Sequence, residues 1–347
     1  MKTWDVIIAG GGIIGLSLAL ELRERGAGVL VLDRGEPGRE ASSAAAGMLA
    51  PTDPATSVEL RQFAVESARL YPGFVQRLES AAETTVDFRR HGTVVLHETH
   101  DAPSDNTRLS AEELKQLEPA LQPGPHFAFF LQENSVDPDF LSQAAVKAVR
   151  ACGVEMHSHT AVQRMSSQNG TIEVNAGAGR FAARVAVNCQ GAWAGAPVRP
   201  RKGQMCYLRP QNPDLLRRVV RAPDVYLVPR SSGKILVGAT VEDAGFDKSV
   251  ETETVNTLYR GAAALVPELA AAPMVESWAG LRPGTPDDLP VMGETETPGI
   301  MISSGHFRNG ILLAPAAAKI MADVIMGRSP EIDISAFSPA RFASVRG

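Results

Sequence analysis

Gly10-Gly11-Gly12-Ile13-Ile14-Gly15 fits the pattern G-x-G-x-x-G and stands where such a turn can bind phosphate, between an apolar run and a helical pattern. Gly10 permits the tight turn, Gly12 lets a pyrophosphate approach the backbone, and Gly15 lets helix and strand pack closely. The free N–H groups and dipole of the helix start then favour negative charge. Asp33 ends the next apolar run, placed to accept hydrogen bonds from ribose hydroxyls and to repel a 2′-phosphate. Arg34 beside it is the one residue pointing toward NADP, and it reads as solvent-facing. Other residue groups suggest chemistry less strongly. Asp287 and Asp288 resemble a carboxylate pair but follow Thr285-Pro286, where turn chemistry accounts for them. His157 and His159 are spaced for one strand face, yet no third ligand accompanies them, so no metal is expected.

The glycine turn alone does not choose between NAD and FAD, and two further segments bear on that choice. Arg39 to Met48 is rich in Ala, Ser and Gly, small enough to lie against a flat ring or a pyrophosphate. Ser42 and Ser43 could bond phosphate or cap a helix. In isolation the segment reads equally as a flexible loop. Gly305-His306-Phe307-Arg308-Asn309-Gly310-Ile311-Leu312 joins a buried strand to the last helix, with Pro315 suited to a first turn. That helix start could face the N1 and C2 carbonyl of an isoalloxazine, whose reduced form is anionic at N1. It also reads as an ordinary helix start.

The elements that would position these residues follow from periodicity. Trp4–Ala9, a helix over Ile13–Arg25 and Val29–Leu32 make a βαβ unit. Residues 35–57 are loop-like. Helices are expected over Leu60–Glu79, Ala111–Leu117, Phe140–Ala151, Thr252–Leu265 and about Leu312–Met326. Strands are expected around the turn His91-Gly92, at Phe127–Leu131, Val154–His159, Ile172–Asn175 and Phe181–Asn188, and at Gly203–Arg209, Val225–Pro229, Lys234–Thr240, Val275–Leu281 and Gly299–Ser303. The order predicts an α/β (α+β) chain. A Rossmann-like FAD-binding domain (1–84, 136–204, 276–347) is interrupted by a mainly antiparallel substrate-binding domain (85–135, 205–275). With 347 residues, two lobes are expected.

Taken together and in this order, the glycine turn, Ser42-Ser43-Ala44-Ala45-Ala46-Gly47-Met48, Ala279-Gly280-Leu281-Arg282-Pro283-Gly284-Thr285 and Gly305-His306-Phe307-Arg308-Asn309-Gly310 resemble the D-amino acid oxidase family of flavoproteins. The branch they resemble most is bacterial glycine oxidase of the thiamine pathway. The resemblance runs from Thr3 to about Met326. It implies FAD, held by Gly10, Gly12, Ile13, Ile14, Gly15, Asp33, Arg34, Ser42, Ser43, Ala46, Gly47 and Met48, and by Arg282, His306, Phe307, Arg308, Asn309, Gly310, Ile311 and Leu312. Val162 matches an adenine contact, and Gly191 and Trp193 a flavin-side turn. Arg282 matches the substrate-carboxylate arginine, seated in a Pro/Gly turn after a strand. Tyr226, in Asp224-Val225-Tyr226-Leu227-Val228-Pro229, matches the tyrosine that shares that carboxylate. Arg308 falls near the substrate or flavin edge, and Met48 and Val241 line the pocket. Arg282, Tyr226 and Arg308 are therefore the candidate catalytic residues.

The resemblance further implies hydride transfer from Cα to flavin N5 with no dedicated base, an imine hydrolysed to a 2-oxo acid and ammonia, and O₂ reduced to H₂O₂. Ser303-Ser304-Gly305-His306 has no cysteine of the kind that anchors flavin in some sarcosine oxidases, so non-covalent FAD is expected. The substrate remains open among glycine, sarcosine, a D-amino acid and a bulkier N-substituted glycine. A dehydrogenase passing electrons to a quinone is the alternative. The net charge of −5 with no basic patch argues against nucleic acid. Three unpaired cysteines, no signal-peptide pattern and no apolar span argue for a cytoplasmic protein without a membrane span. A homo-oligomer, often a tetramer in this branch, is the expected assembly.

Overall fold

The computed structural model describes residues 2–53, 56–99 and 107–345. Thr3–Ala9 lies inside an eight-stranded sheet, flanked in parallel by Val29–Leu32 and Gly179–Asn188. Glu155–His157 continues the parallel pairing beyond Val29–Leu32, and Ile300–Ser304 pairs in parallel with the end of Gly179–Asn188. Strand side chains alternate between faces, so one strand serves two cores. Val6, Ile8, Val29 and Val31 pack with the helices Ile13–Glu24, Val58–Ala82, Pro138–Ala151 and Gly310–Ile325. Ile7, Leu30 and Leu32 point the other way, onto Ile172, Val174 and Ala183. The antiparallel strands Thr171–Ala176 and Val162–Gln168 supply that second layer. Val162–Gln168 was not expected as a strand. Its polar, largely solvent-exposed residues give no apolar alternation to read.

A second eight-stranded sheet runs in the order Met274–Gly284, Arg199–Leu208, Ile235–Gly238, Tyr226–Pro229, Val219–Arg221, Thr93–His97, Phe127–Leu131, Thr107–Arg108. Neighbours are antiparallel except Val219–Arg221 with Thr93–His97. Its outer face buries Leu96, Cys206, Leu208, Leu227 and Val237 against the helix Thr252–Leu265. Its inner face carries Met205, Val228, Leu236, Tyr226 and Trp278 against Ala46 and Met48 of the first unit. The site lies on this inner face.

Several expectations are corrected. The strands on either side of His91-Gly92 do not pair with each other. Phe88–Arg89 joins a three-stranded sheet with Asn134–Val136 and Met48–Leu49, whereas Thr93–His97 belongs to the large sheet. Residues 35–57 are not all loop: Ala41–Ala44 is a short helix and Met48–Leu49 a short strand. The boundaries drawn at 204/205 and 275/276 fall within Arg199–Leu208 and Met274–Gly284, which pair along their whole lengths in the second sheet. The last helix begins at Gly310, so Pro315 lies inside it rather than in its first turn. Proline has no N–H, which leaves the carbonyl four residues back without its helical donor. Tyr71, fully buried on Val58–Ala82, donates its hydroxyl to that carbonyl of Ile311 at 3.0 Å. Ser67, one turn earlier, donates to the Leu312 carbonyl at 2.7 Å.

Candidate cofactor and substrate site

The glycine turn is built as its sequence requires. A Cβ on Gly10 would stand 2.2 Å from the Cys189 carbonyl oxygen, and one on Gly15 would stand 2.0 Å from that of Gly10. Gly10 has φ +106°, closed to most side chains. The chain turns here from strand into Ile13–Glu24, whose first turn carries no acidic side chain. Ile13 buries its side chain in the core and donates its N–H to Ser42 Oγ at 2.8 Å. Ile14 is half-buried beside it. Ser42 therefore sits on the helix start where a phosphate would be bound. Ser43 turns back and donates to the Arg39 carbonyl. Asp33 accepts from the Gly11 N–H at 2.6 Å and from Gly35 at 2.8 Å. Its carboxylate is thereby fixed at the lip of the turn. The Thr160 N–H donates to the Asp33 carbonyl at 2.5 Å, which leads the chain to Val162 on the same side. Arg34 is exposed, as expected, and its guanidinium lies 4.0 Å above the Trp193 ring. Trp193 in turn stacks on Phe246.

The second helix start converges from the other side. Ser304 donates to the carbonyl of Gly191 at 3.1 Å and so ties the 191–193 turn to the end of Ile300–Ser304. Gly305 and Phe307 both have positive φ, and Gly310–Ile325 follows with no acidic residue in its first turn. The side chains of Ile311 and Leu312 are buried in the core, so only their backbone can face a ligand. His306 is 2% exposed, and among the described residues its Nε2 has no hydrogen-bond partner. Burial pushes its pKa down to about 3, which keeps the imidazole neutral near pH 7. Ala46-Gly47-Met48 is held rigidly: Val136 N donates to the Gly47 carbonyl, and a Cβ on Gly47 would stand 1.9 Å from the Val136 carbonyl.

The substrate side lies on the inner face of the second sheet. Arg282 is not in a turn, which corrects the expectation. It is an interior residue of Met274–Gly284, paired with Arg201, because Pro283 and Gly284 continue that edge strand opposite Pro200 and Arg199. Its Nη1 donates to the Thr240 carbonyl at 3.0 Å and lies 3.4 Å from that of Lys202. The Tyr226 hydroxyl lies close enough to interact electrostatically with it and donates to Met205 Sδ at 3.6 Å. Burial raises the pKa of Tyr226, with Arg282 the main opposing influence, so the phenol stays protonated. Burial also lowers the pKa of Arg282, and Arg308 adds to this by like-charge repulsion. Arg308 is exposed, its guanidinium 5.2 Å from the Phe307 ring. Among the described residues neither Arg282 nor Arg308 forms an ion pair with a carboxylate. Val241 follows Thr240 and is 38% exposed, while Met48 packs in the cluster that contains Tyr226.

The remaining candidates have local partners. Asp287 accepts from Thr285 Oγ1 and the Leu289 N–H and pairs with Arg341 at 2.8 Å, as a turn residue does. His157 and His159 do not share a strand face. Glu155–His157 ends first, His159 has φ +51°, and each ring meets a different glutamate. Not legible in the sequence were the Thr240 carbonyl, Gly203 beneath Arg282, Gly238 beneath Tyr226, and Arg230, which donates to the Ala46 carbonyl. A backbone acceptor and a missing side chain carry no residue-type signal, and nothing in the residues around Arg230 marks it.

A close-packed glycine turn with an acid at its lip and a second helix start make a site of the dinucleotide-binding kind, with two arginines nearby that have no carboxylate partner among the described residues. The chain belongs to the FAD dependent oxidoreductase family, which it matches over residues 5–324. It is 33% identical to the glycine oxidase of Pseudomonas putida, over 96% of this chain and 98% of that protein. It is 34% identical to the bifunctional protein ThiO/ThiG of Trichormus variabilis over 98% of its own length, and it spans 55% of that longer relative. The crystal structure of glycine oxidase from Geobacillus kaustophilus superposes with a TM-score of 0.92 at 32% identity, covering 97% of this chain and 98% of that one. The protein is an FAD-dependent oxidoreductase of the glycine oxidase type. No helix among the described residues is long and apolar enough to cross a membrane.

Proposed function

We propose that this protein oxidises the Cα–N bond of glycine or of a small or N-substituted relative such as sarcosine or a D-amino acid. The observation that carries this reading is Arg282, a guanidinium without a carboxylate partner among the described residues, with the protonated Tyr226 hydroxyl beside it on the sheet face turned toward the nucleotide unit. A planar guanidinium can bond both oxygens of a substrate carboxylate, and Tyr226 adds a neutral donor to the same group. The Thr240 carbonyl fixes Nη1, which leaves the rest of the fork for the ligand. Arg308 adds positive potential at the same place. The Ala46-Gly47-Met48 loop, Gly10 to Gly15, Asp33, Ser42 and the start of Gly310–Ile325 are the groups that would hold FAD. Bound there, FAD would supply the hydride acceptor, with O₂ as the proposed final oxidant and H₂O₂ the expected product. With the carboxylate anchored, the substrate enters with its amine neutral, and the nitrogen lone pair forms the C=N bond as hydride leaves Cα. The imine is released and hydrolysed to the 2-oxo acid, with ammonia leaving from glycine or a D-amino acid and the primary amine from an N-substituted substrate. The contribution of the protein is orientation and electrostatics, with no acid–base residue assigned. We further place the enzyme as a cytoplasmic homo-oligomer in thiamine biosynthesis, on the resemblance of its motifs to that branch.

The test is anaerobic addition of glycine, sarcosine and D-alanine to the purified yellow protein. Bleaching of the visible flavin band, then recovery with peroxide on admitting air, supports the proposal, and the relative rates identify the substrate. Bleaching with slow reoxidation in air but fast reoxidation by a quinone would turn the reading to a dehydrogenase. No bleaching by any of the three would exclude the small substrates and favour a bulkier N-substituted glycine.

A further inference from the structure

Arg230 follows directly on Tyr226–Pro229, four residues after Tyr226, and its side chain is 2% exposed. Its Nη2 donates to the Ala46 carbonyl at 2.8 Å, its Nη1 to the Val136 carbonyl at 3.1 Å, and its Nε to the Tyr207 hydroxyl at 3.4 Å. Among the described residues its one counter-ion is Asp137, with Oδ2 3.6 Å from Nε. A buried cation is costly, and an apolar side chain of similar volume often fills such a space at no loss of stability. The fold alone therefore does not explain why a charge stands here. What Arg230 holds is specific: Ala46 opens the Ala46-Gly47-Met48 segment, and Trp278 Nε1 holds the neighbouring Ala44 carbonyl at 3.1 Å. Both donors come from the second sheet, the one that carries Arg282 and Tyr226.

We propose that Arg230 is a positioning residue for the cofactor, fixing the Ala46-Gly47-Met48 backbone and setting behind it a positive charge that Asp137, 3.6 Å from Nε, offsets only in part. The proposal rests on the reading of that segment as a flavin contact. The carbonyl that Arg230 engages belongs to the Ala46–Gly47 peptide, so the bond polarises that peptide and strengthens its N–H as a donor. Fixed positive charge and polarised donors favour the anionic reduced flavin over the neutral oxidised one. Arg230 thus ties the strand of Tyr226 to the electron acceptor.

The test uses the wild type, Arg230→Met and Arg230→Lys as FAD-loaded proteins, and reads the FAD dissociation constant and the midpoint potential from dye-equilibrated reductive titrations. Arg230→Met is expected to bind FAD about ten-fold more weakly, with a more negative potential because the reduced form loses more affinity than the oxidised form. Arg230→Lys keeps the charge but loses the planar fork, so its FAD affinity falls while its potential moves less. If Arg230→Met does not fold, Arg230→Lys still carries the affinity test. Wild-type affinity and potential in both variants would overturn the proposal. Weaker FAD binding with an unmoved potential would overturn it too, since mere loosening affects both redox forms alike. Neither readout involves amino-acid turnover, so a wild type that oxidises none of the three substrates would sink the proposed substrate and leave this test standing.

Discussion

The guanidinium of Arg282 occupies the space that a side chain at Gly203 would fill: a Cβ built on Gly203 stands 2.0 Å from Arg282 Nη1 and 2.5 Å from its Cζ. Gly238 stands in the same relation to Tyr226, with a built Cβ 2.6 Å from the phenol oxygen. The two polar groups thus lie flat on strands whose residues beneath them have no side chain. Gly203→Ala is expected to push Arg282 off this shelf and raise KM for the amino acid on the order of ten-fold or more, since each charge-assisted hydrogen bond of a bidentate contact is roughly twice as strong as a neutral one. Titrating the flavin spectrum with a non-reacting carboxylate, such as acetate, checks the same point without turnover. Unchanged acetate affinity in Gly203→Ala would mean that the position of Arg282 does not depend on the shelf.

The Tyr71 hydroxyl replaces the donor that Pro315 removes from Ile311. A buried carbonyl left without its partner costs about 1–3 kcal/mol. Tyr71→Phe should therefore lower the unfolding free energy by about that amount, measured by denaturant titration of the FAD-loaded protein. In a Pro315→Ala background the restored N–H can serve Ile311, and the same Tyr71→Phe change should cost clearly less. Equal costs in both backgrounds would dissociate Tyr71 from Pro315.

The parts of the fold legible in the sequence were those with a strong pattern. Thr252–Leu265, Ala111–Leu117, Phe127–Leu131 and Val29–Leu32 lie where periodicity places them. Val162–Gln168, Val291–Glu294, Met48–Leu49 and Thr107–Arg108 were missed, because short or polar strands owe their place to the partner they pair with. At the site, the glycine turn and Asp33 were legible since their function requires particular residue types at particular spacings. Arg282 was identified, but its setting was misread: Pro-Gly usually means a turn, and only the pairing with Pro200 and Arg199 makes it strand. Arg230 gave no signal at all, since its partners Ala46 and Val136 lie 184 and 94 residues away.

His306 predicts a pH dependence of stability. Its folded pKa is depressed to about 3 against an ordinary value of 6.5, so below pH 6.5 the unfolded chain binds a proton that the folded chain does not. Its contribution is complete above pH 6.5 and declines as pH falls from there toward 3. The wild type should lose stability between pH 7 and pH 4.5, and His306→Gln should lose less over the same interval. Parallel declines in denaturant midpoint for the two proteins would show that His306 is not depressed in the fold.

Asp33 joins the end of one strand to the glycine turn through Gly11 at 2.6 Å and Gly35 at 2.8 Å. A carboxylate in this place both shapes the turn and offers its remaining lone pairs to the ribose hydroxyls. Asp33→Asn keeps the shape but reverses the polarity of one oxygen position, since an amide NH₂ cannot accept from Gly11 or Gly35. Asp33→Ala removes both acceptors. FAD affinity, followed by fluorescence quenching on reconstitution, should therefore fall in the order wild type, Asn, Ala, with Ala weaker than wild type by on the order of ten-fold or more. Arg34→Ala removes the cation over Trp193 and leaves the turn intact, so it should weaken FAD by only a small factor, of the order of one cation–π contact. An Arg34 effect larger than that of Asp33 would shift the adenosine anchor from the carboxylate to the Arg34–Trp193 stack.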